Sequence, residues 1–185
     1  MLRALVCCLL LALPLAAAAE ERSPVVLTVS GAIENPNRGP FDAFDDAFLA
    51  RFLDPFEKAR SFTLADLAAL PQERLTLAYP EWKRSIAFTG PSLQSVLKAA
   101  GAKGEKLELL GLDGYSASLT QELIAGGSFL LALTRDGTPL AIGGHGPLWL
   151  VFPPGEAAPA YPGDDTGGLV WALFHIDVRE AAGDD

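Results

Sequence analysis

The sequence holds two histidines, His145 and His175, and their surroundings differ. His145 stands in Gly143-Gly144-His145-Gly146-Pro147, directly ahead of the apolar run Leu148 to Phe152. A histidine between glycines lies on a loop, where its ring can enter a cleft and bare backbone can approach a ligand. The same glycines and Pro147 also suffice to shape a tight turn that holds nothing. His175, between Phe174 and Ile176, falls inside a strand pattern and reads as a buried structural histidine. Trp82-Lys83-Arg84 is the one aromatic–basic cluster. It can hold an anion or a planar ring through charge and stacking, or be a surface loop.

Other chemistry is excluded by what is missing. There is no G-x-S-x-G elbow, phosphate-binding loop, G-x-G-x-x-G or H-E-x-x-H motif. Two histidines without ligand spacing do not define a zinc site, so no metal ligand is assigned. Asp42, Asp45 and Asp46 lack the spacing and the glycine of a calcium loop and read as the solvated face of a helix. The two cysteines, Cys7 and Cys8, lie in the first apolar stretch. They come too early to be an acylated first mature residue.

That stretch opens Met1-Leu2-Arg3, runs apolar to Ala18 and closes on small residues before Glu20-Glu21-Arg22. It is short for a bilayer span and has the form of a secretory signal. Residues 1–19 are therefore expected to be a cleaved signal peptide. Residues 20–185 are expected to form one domain, periplasmic or secreted, with no membrane span after cleavage. The remainder holds no thiol for metal ligation or nucleophilic attack. It also loses one cation, Arg3, from a chain that already carries a net charge of −9. Such a surface repels nucleic acid and anionic lipid, so neither is an expected partner.

The elements that would position these residues are short. Val25 to Val29 reads as a strand leading to an Asn-Pro-Asn loop. Phe41, Phe44, Phe48 and Phe52 are spaced as one face of an amphipathic helix packed on the domain. Thr63 caps a helix with Asp66 at its third position, and the helix stops near Pro71. Leu75 to Ala78 and Ile86 to Phe88 are strands. Ser92 to Gly101 is the clearest helix, with a Ser cap, apolar positions 93, 96, 97 and 100, and a terminal glycine. Leu107 to Leu112 and Tyr115 to Leu119 form a hairpin about Asp113-Gly114. Thr120 caps a short helix reaching Gly126. Phe129 to Thr134 and Thr138 to Ile142 flank a turn at Arg135-Asp136-Gly137. Leu148 to Phe152 and Leu169 to Val178 are the last strands, separated by a Pro- and Gly-rich stretch. The pattern is mixed α/β (α+β), with mostly antiparallel or mixed sheets and few short helices.

Several short segments carry a resemblance. They are Leu27-Thr28-Val29-Ser30-Gly31 with Asn35-Pro36-Asn37, Leu70-Pro71-Gln72, and Phe88-Thr89-Gly90-Pro91-Ser92-Leu93. Gly111-Leu112-Asp113-Gly114-Tyr115-Ser116, Leu131-Ala132 with Asp136-Gly137, and Gly146-Pro147-Leu148-Trp149 follow. Val170-Trp171-Ala172-Leu173 with Ile176-Asp177-Val178 closes the series. In this order they resemble the molybdopterin-binding domain of the sulfite-oxidase superfamily, specifically its small exported members. The resemblance spans nearly all of residues 20–185 and implies a mixed α/β fold built round β-sheets. In the full enzymes that fold holds molybdenum through a pterin dithiolene and one cysteine, ahead of the F-x-G segment. Here that region is Tyr79-Pro80-Glu81-Trp82-Lys83-Arg84-Ser85, without a cysteine. Neither Ser85 nor Glu81 supplies the soft ligand. The Phe41 to Phe56 segment is an insertion relative to the small relatives, able to cover a pocket or dock a partner.

Three readings follow. One is a ligand- or partner-binding module, sensory or accessory, that kept the fold and lost the metal-ligating cysteine. It expects no cofactor, a pocket formed by Trp82, Arg84, Tyr115 and His145, and a small anionic or planar ligand or a periplasmic protein partner. The alternative is a molybdopterin-dependent periplasmic oxidoreductase, and the third is a purely structural domain.

Overall fold

The computed structural model describes residues 23–180. The expected signal peptide (residues 1–19) and the acidic tail (181–185) lie outside the described residues. In chain order the strands and helices are β1 (Val25–Gly31), β2 (Ala59–Thr63), α1 (Leu64–Ala69), β3 (Gln72–Leu77), β4 (Ile86–Pro91), α2 (Leu93–Ala100) and β5 (Lys106–Gly111). They continue as β6 (Ser116–Thr120), α3 (Gln121–Gly126), β7 (Leu130–Ala132), β8 (Thr134–Arg135), β9 (Thr138–Pro139), β10 (Trp149–Val151), β11 (Val170–Trp171) and β12 (Leu173–Arg179). Among the described residues no helix is long and apolar enough to cross a membrane.

The strands form three sheets, ordered β2-β1-β12-β5-β6, β11-β10-β7 and β3-β4-β8-β9. Only β1 and β12, near the two ends of the chain, pair in parallel, with Thr28 opposite His175. Every other named strand pair is antiparallel. The mixed, mainly antiparallel architecture expected from the short hairpins is therefore the one found.

Local chemistry explains most element boundaries. Thr63 accepts a hydrogen bond from the Asp66 amide while the Asp66 carboxylate accepts from the Thr63 amide, a reciprocal cap that starts α1. Ser92 caps α2 through the Ser95 amide, and Gly101 ends it at φ +68°. Leu93, Val96, Leu97 and Ala100, on one side of α2, enter the largest core cluster with Leu107, Leu109, Leu173 and Ile176 of the five-stranded sheet. Full burial of side chains of this size contributes roughly 1.5–3 kcal/mol each. A second cluster joins the two smaller sheets through Tyr79, Phe88, Leu130, Trp149 and Val151.

Two expectations are corrected. The Phe41–Phe52 segment is not an amphipathic helix; it is a series of turns containing one short 3-10 helix, Leu49–Arg51. Asp42 competes with helix formation by accepting bonds from the Phe44 and Asp45 amides at 2.8 and 2.9 Å. Asp46 is buried rather than solvated: it pairs with Arg38 and accepts from the Asp42 amide. Phe48 and Phe52 pack on Phe174, and Phe44 stays exposed. The second correction concerns Leu169 to Val178, which is two strands in different sheets. Ala172, at φ +50°, breaks the run and carries the chain from β11 into β12.

His175 is the structural histidine expected. It is buried, and its Nε2 lies 2.9 Å from Ser30 Oγ on the neighbouring strand. Burial pushes its pKa down to about 4. An unfolded chain takes up that proton near 6.5, so the native state holds fewer protons between pH 6.5 and 4. Stability supplied by His175 is thus present above pH 6.5 and is lost as pH falls toward 4, by about 3 kcal/mol in total. Urea unfolding of the wild type and of His175→Asn at pH 7.0 and 4.5 checks this: the wild type should lose the larger share of its stability on acidification. Equal losses would contradict the account.

Candidate functional site

One cleft of about 410 Å3 gathers the chain's aromatic chemistry. Its walls include Trp82, Trp149 and Trp171, which are all three tryptophans of the chain, together with Tyr115 and His145. Asp113, Asp164 and Thr166 complete the polar part of the lining.

Four connections and one strand pair place these side chains. Trp82 sits in the short helical turn Pro80–Trp82, within the connection from β3 to β4. Asp113 and Tyr115 belong to the turn between β5 and β6. His145 lies on the loop entering β10, and Asp164 and Thr166 lie on the long loop from β10 to β11. Trp149 and Trp171 are direct partners across the antiparallel pair of β10 and β11. Directly opposed side chains on such a pair project to one face.

The rings form a continuous run. Trp82 and Trp149 lie 5.6 Å apart between centroids, and His145 stacks on Trp149 at 4.0 Å with planes 5° apart. The far edge of His145 meets Trp171 at 5.4 Å. The loop that carries His145 depends on its glycines. Gly143 is at φ +91°, and a Cβ on Gly146 would strike the Leu140 carbonyl at 2.4 Å. The glycines therefore shape a tight turn, and that turn also directs the imidazole into the cleft. The His145 carbonyl accepts a hydrogen bond from the Ala172 amide at 2.9 Å, tying the loop to the start of β12.

Polar partners orient the remaining walls. The Trp171 indole N–H donates to Asp113 Oδ2 at 2.5 Å, and the Tyr115 amide donates to Asp113 Oδ1 at 3.0 Å. The Gly168 amide donates to the Tyr115 hydroxyl at 3.3 Å. Asp164 Oδ1 accepts from the Thr166 amide, the Thr166 hydroxyl and the Gly167 amide. Those bonds hold the Asp164 carboxyl below the usual carboxylate range, so it is charged at neutral pH. Trp149 is different: its indole N–H is buried and has no acceptor among the described residues. A buried donor without a partner is uncommon and calls for an explanation.

The structure brings Trp82, Tyr115 and His145 to one cleft and leaves Arg84 out of it. Lys83 is at φ +56°, in the left-handed region, and the chain turns there so that the exposed Arg84 guanidinium pairs with Asp136 at 3.2 Å. Asp136 also accepts from the Ala87 amide at 3.0 Å, which keeps its carboxylate at the strand edge. Trp149, Trp171, Asp113 and Asp164 were not singled out in the sequence. The two tryptophans lie within apolar strand patterns, and the aspartates within turn segments. Their convergence depends on strand pairing, although the Asp-x-Thr-Gly run at 164–167 is a local sign of an ordered turn. The Phe41 to Phe56 insertion contributes no residue to the cleft lining.

The residues here do not suit a molybdenum–pterin group. The segment expected to bear the metal's cysteine delivers an indole, Trp82, while Glu81 and Ser85 are exposed and do not line the cleft. No Lys or Arg lines it to meet a pterin phosphate, and its two charged groups are carboxylates. Among the described residues there is no cluster of three or more His, Cys, Asp or Glu able to hold a metal ion.

The fold has a solved counterpart. It is similar to part of the sulfane dehydrogenase SoxCD from Paracoccus pantotrophus, with a TM-score of 0.55 and 19% identity. The match covers 86% of this chain and 39% of that one, so this chain corresponds to well under half of the SoxCD chain. At this identity the likeness is one of fold. No protein-family model matches the chain. No curated protein matches it. The mixed α/β, sulfite-oxidase-like fold expected from the ordered sequence segments is thus the fold the chain has.

His145 supplies a direct check on this geometry. Burial first, and the nearby Arg135 charge second, hold its pKa below the ordinary value of 6.5. In a proton NMR titration the His145 ring should titrate below 6.5, and Arg135→Gln should raise the midpoint only part of the way back. A wild-type midpoint at or above 6.5 would contradict the stacked, half-buried ring.

Proposed function

We propose that this chain is a ligand-binding module that has the sulfite-oxidase-like fold without its molybdenum chemistry. Its site is the aromatic cleft of Trp82, Tyr115 and His145, extended by Trp149 and Trp171. The observation that carries this reading is the lining itself: every tryptophan of the chain converges there, with a neutral imidazole and no thiolate. The unpartnered Trp149 N–H supports it, since a polar group left unpaired in a folded protein is a feature of binding sites. Large aromatic side chains half open to solvent in a concave place are likewise what a ligand pocket requires. The form of residues 1–19 supports action outside the cytoplasm, in the periplasm or beyond it. A sensory or accessory role, with a periplasmic protein reading the bound state, is the use such a module would serve.

A second reading, a molybdopterin-dependent oxidoreductase, is favoured by the fold likeness to part of a dehydrogenase. Fold alone does not carry activity. The cleft lacks both the thiolate and the cations that this chemistry would recruit.

Metal and pterin content separates the two. The full-length chain is expressed in cells able to make molybdopterin, and the processed protein is purified. Molybdenum is measured by mass spectrometry and pterin by fluorescence after oxidation. The binding module should carry less than about a tenth of an equivalent of either. Stoichiometric molybdenum with pterin would overturn the proposal in favour of the enzyme.

A further inference from the structure

The charges around the cleft point to the class of its ligand. We propose that the cleft binds a small organic cation, a methylated ammonium, against the aromatic faces of Trp82, Trp171 and Tyr115 and within the field of Asp113 and Asp164. This deepens the ligand-binding reading and rests on it.

Aromatic faces carry the negative end of a ring quadrupole, and indole is the strongest of them toward cations. Trp171 is 47% exposed and Tyr115 is 42% exposed, yet both line a concave site. Their faces are thus available, whereas one face of Trp149 is already covered by the His145 ring at 4.0 Å. The Trp171 N–H donates to a carboxylate, Asp113. Donation of that kind polarises the indole and enriches its π-face, which strengthens its attraction for a cation.

The charge distribution agrees. No Lys or Arg lines this cleft, and its formal charges are the two carboxylates. By contrast, the groove between the Phe52–Lys58 segment and β12 contains Lys58 and Arg179. A neutral His145 adds no positive charge to oppose a cation. Two carboxylates at a partly desolvated wall repel an anion, so the anionic ligand expected from the Trp82-Lys83-Arg84 cluster does not fit. Arg84, the group that would have received it, is paired with Asp136 elsewhere. A quaternary or methylated ammonium suits the arrangement because it is weakly hydrated and needs no hydrogen-bond acceptor at its charged centre.

All three tryptophans line the site, so intrinsic fluorescence reports on it without a label. Fluorescence titration and calorimetry are run with four probes: choline, its uncharged isostere 3,3-dimethylbutan-1-ol, the planar neutral quinoline, and the planar anion benzoate. Choline should bind at least about tenfold more tightly than its isostere. Trp171→Leu should weaken choline by about tenfold or more, with Trp171→Phe between it and the wild type. Asp164→Asn should weaken choline a few-fold at low salt and less at high salt. Circular dichroism melts of each variant confirm that loss of binding is not loss of fold. Equal binding of choline and its isostere, or binding of quinoline or benzoate with choline silent, would overturn the cationic class. If Trp171→Leu abolished that binding, the cleft would still stand as the ligand site. Silence from all four probes in both measurements would overturn the cleft as a ligand site as well.

Discussion

Ala172 occupies the left-handed region at φ +50°, and its backbone ties three separate parts of the chain together. Its N–H donates to the His145 carbonyl at 2.9 Å, and its carbonyl accepts from the Leu112 amide at 3.0 Å. One residue later, the Leu173 amide donates to the Leu148 carbonyl at 3.1 Å. The loop bearing His145, the turn bearing Asp113 and Tyr115, and the strand bearing Trp171 are thereby fixed to one point. An alanine in this conformation costs about 1–2 kcal/mol, and such strain persists where surrounding bonds over-determine it. Those bonds are present here. The same residue transfers the chain from the three-stranded sheet to the five-stranded one, so the crossing between sheets and the assembly of the cleft are one structural event.

What is assembled is aromatic and acidic. The resemblance in the ordered segments and the fold likeness to part of SoxCD concern the scaffold, and a scaffold of this kind hosts whatever its loops present. Here the β3–β4 connection presents Trp82 instead of a thiolate. The long β10–β11 loop presents Asp164, held in charged form by three hydrogen bonds to one oxygen. Stacking on Trp149 and burial keep His145 neutral, and the indole N–H of Trp149 is left without an acceptor. Each of these features favours recognition of a ligand over redox chemistry at a metal.

Legibility in the sequence followed the range of the interactions. The Thr63 and Ser92 caps, the apolar face of α2 and the Asp113-Gly114 turn are local, and all were readable. His175 was readable as a buried histidine because its strand context is also local. The Phe41–Phe52 spacing mimicked a helix, but Asp42 takes the amides of Phe44 and Asp45, and the buried Arg38–Asp46 pair fixes the segment otherwise. The break at Ala172 left no sign, since Trp171-Ala172-Leu173 contains no turn-forming residue. The meeting of Trp82, Trp149 and Trp171 arises from sheet register and was invisible for the same reason. Arg84 was drawn into the expected pocket by its neighbour Trp82, while its true partner, Asp136, lies far along the chain.

The central claim is that the cleft built around this tether is where the protein meets its ligand. The most direct test is a 15N–1H correlation spectrum of the uniformly labelled protein, titrated with tetramethylammonium chloride against a sodium chloride control. The spectrum should contain three indole N–H peaks, one for each tryptophan. All three should move together with a single saturating dependence on tetramethylammonium. Indole peaks that stay fixed across the titration would contradict the account.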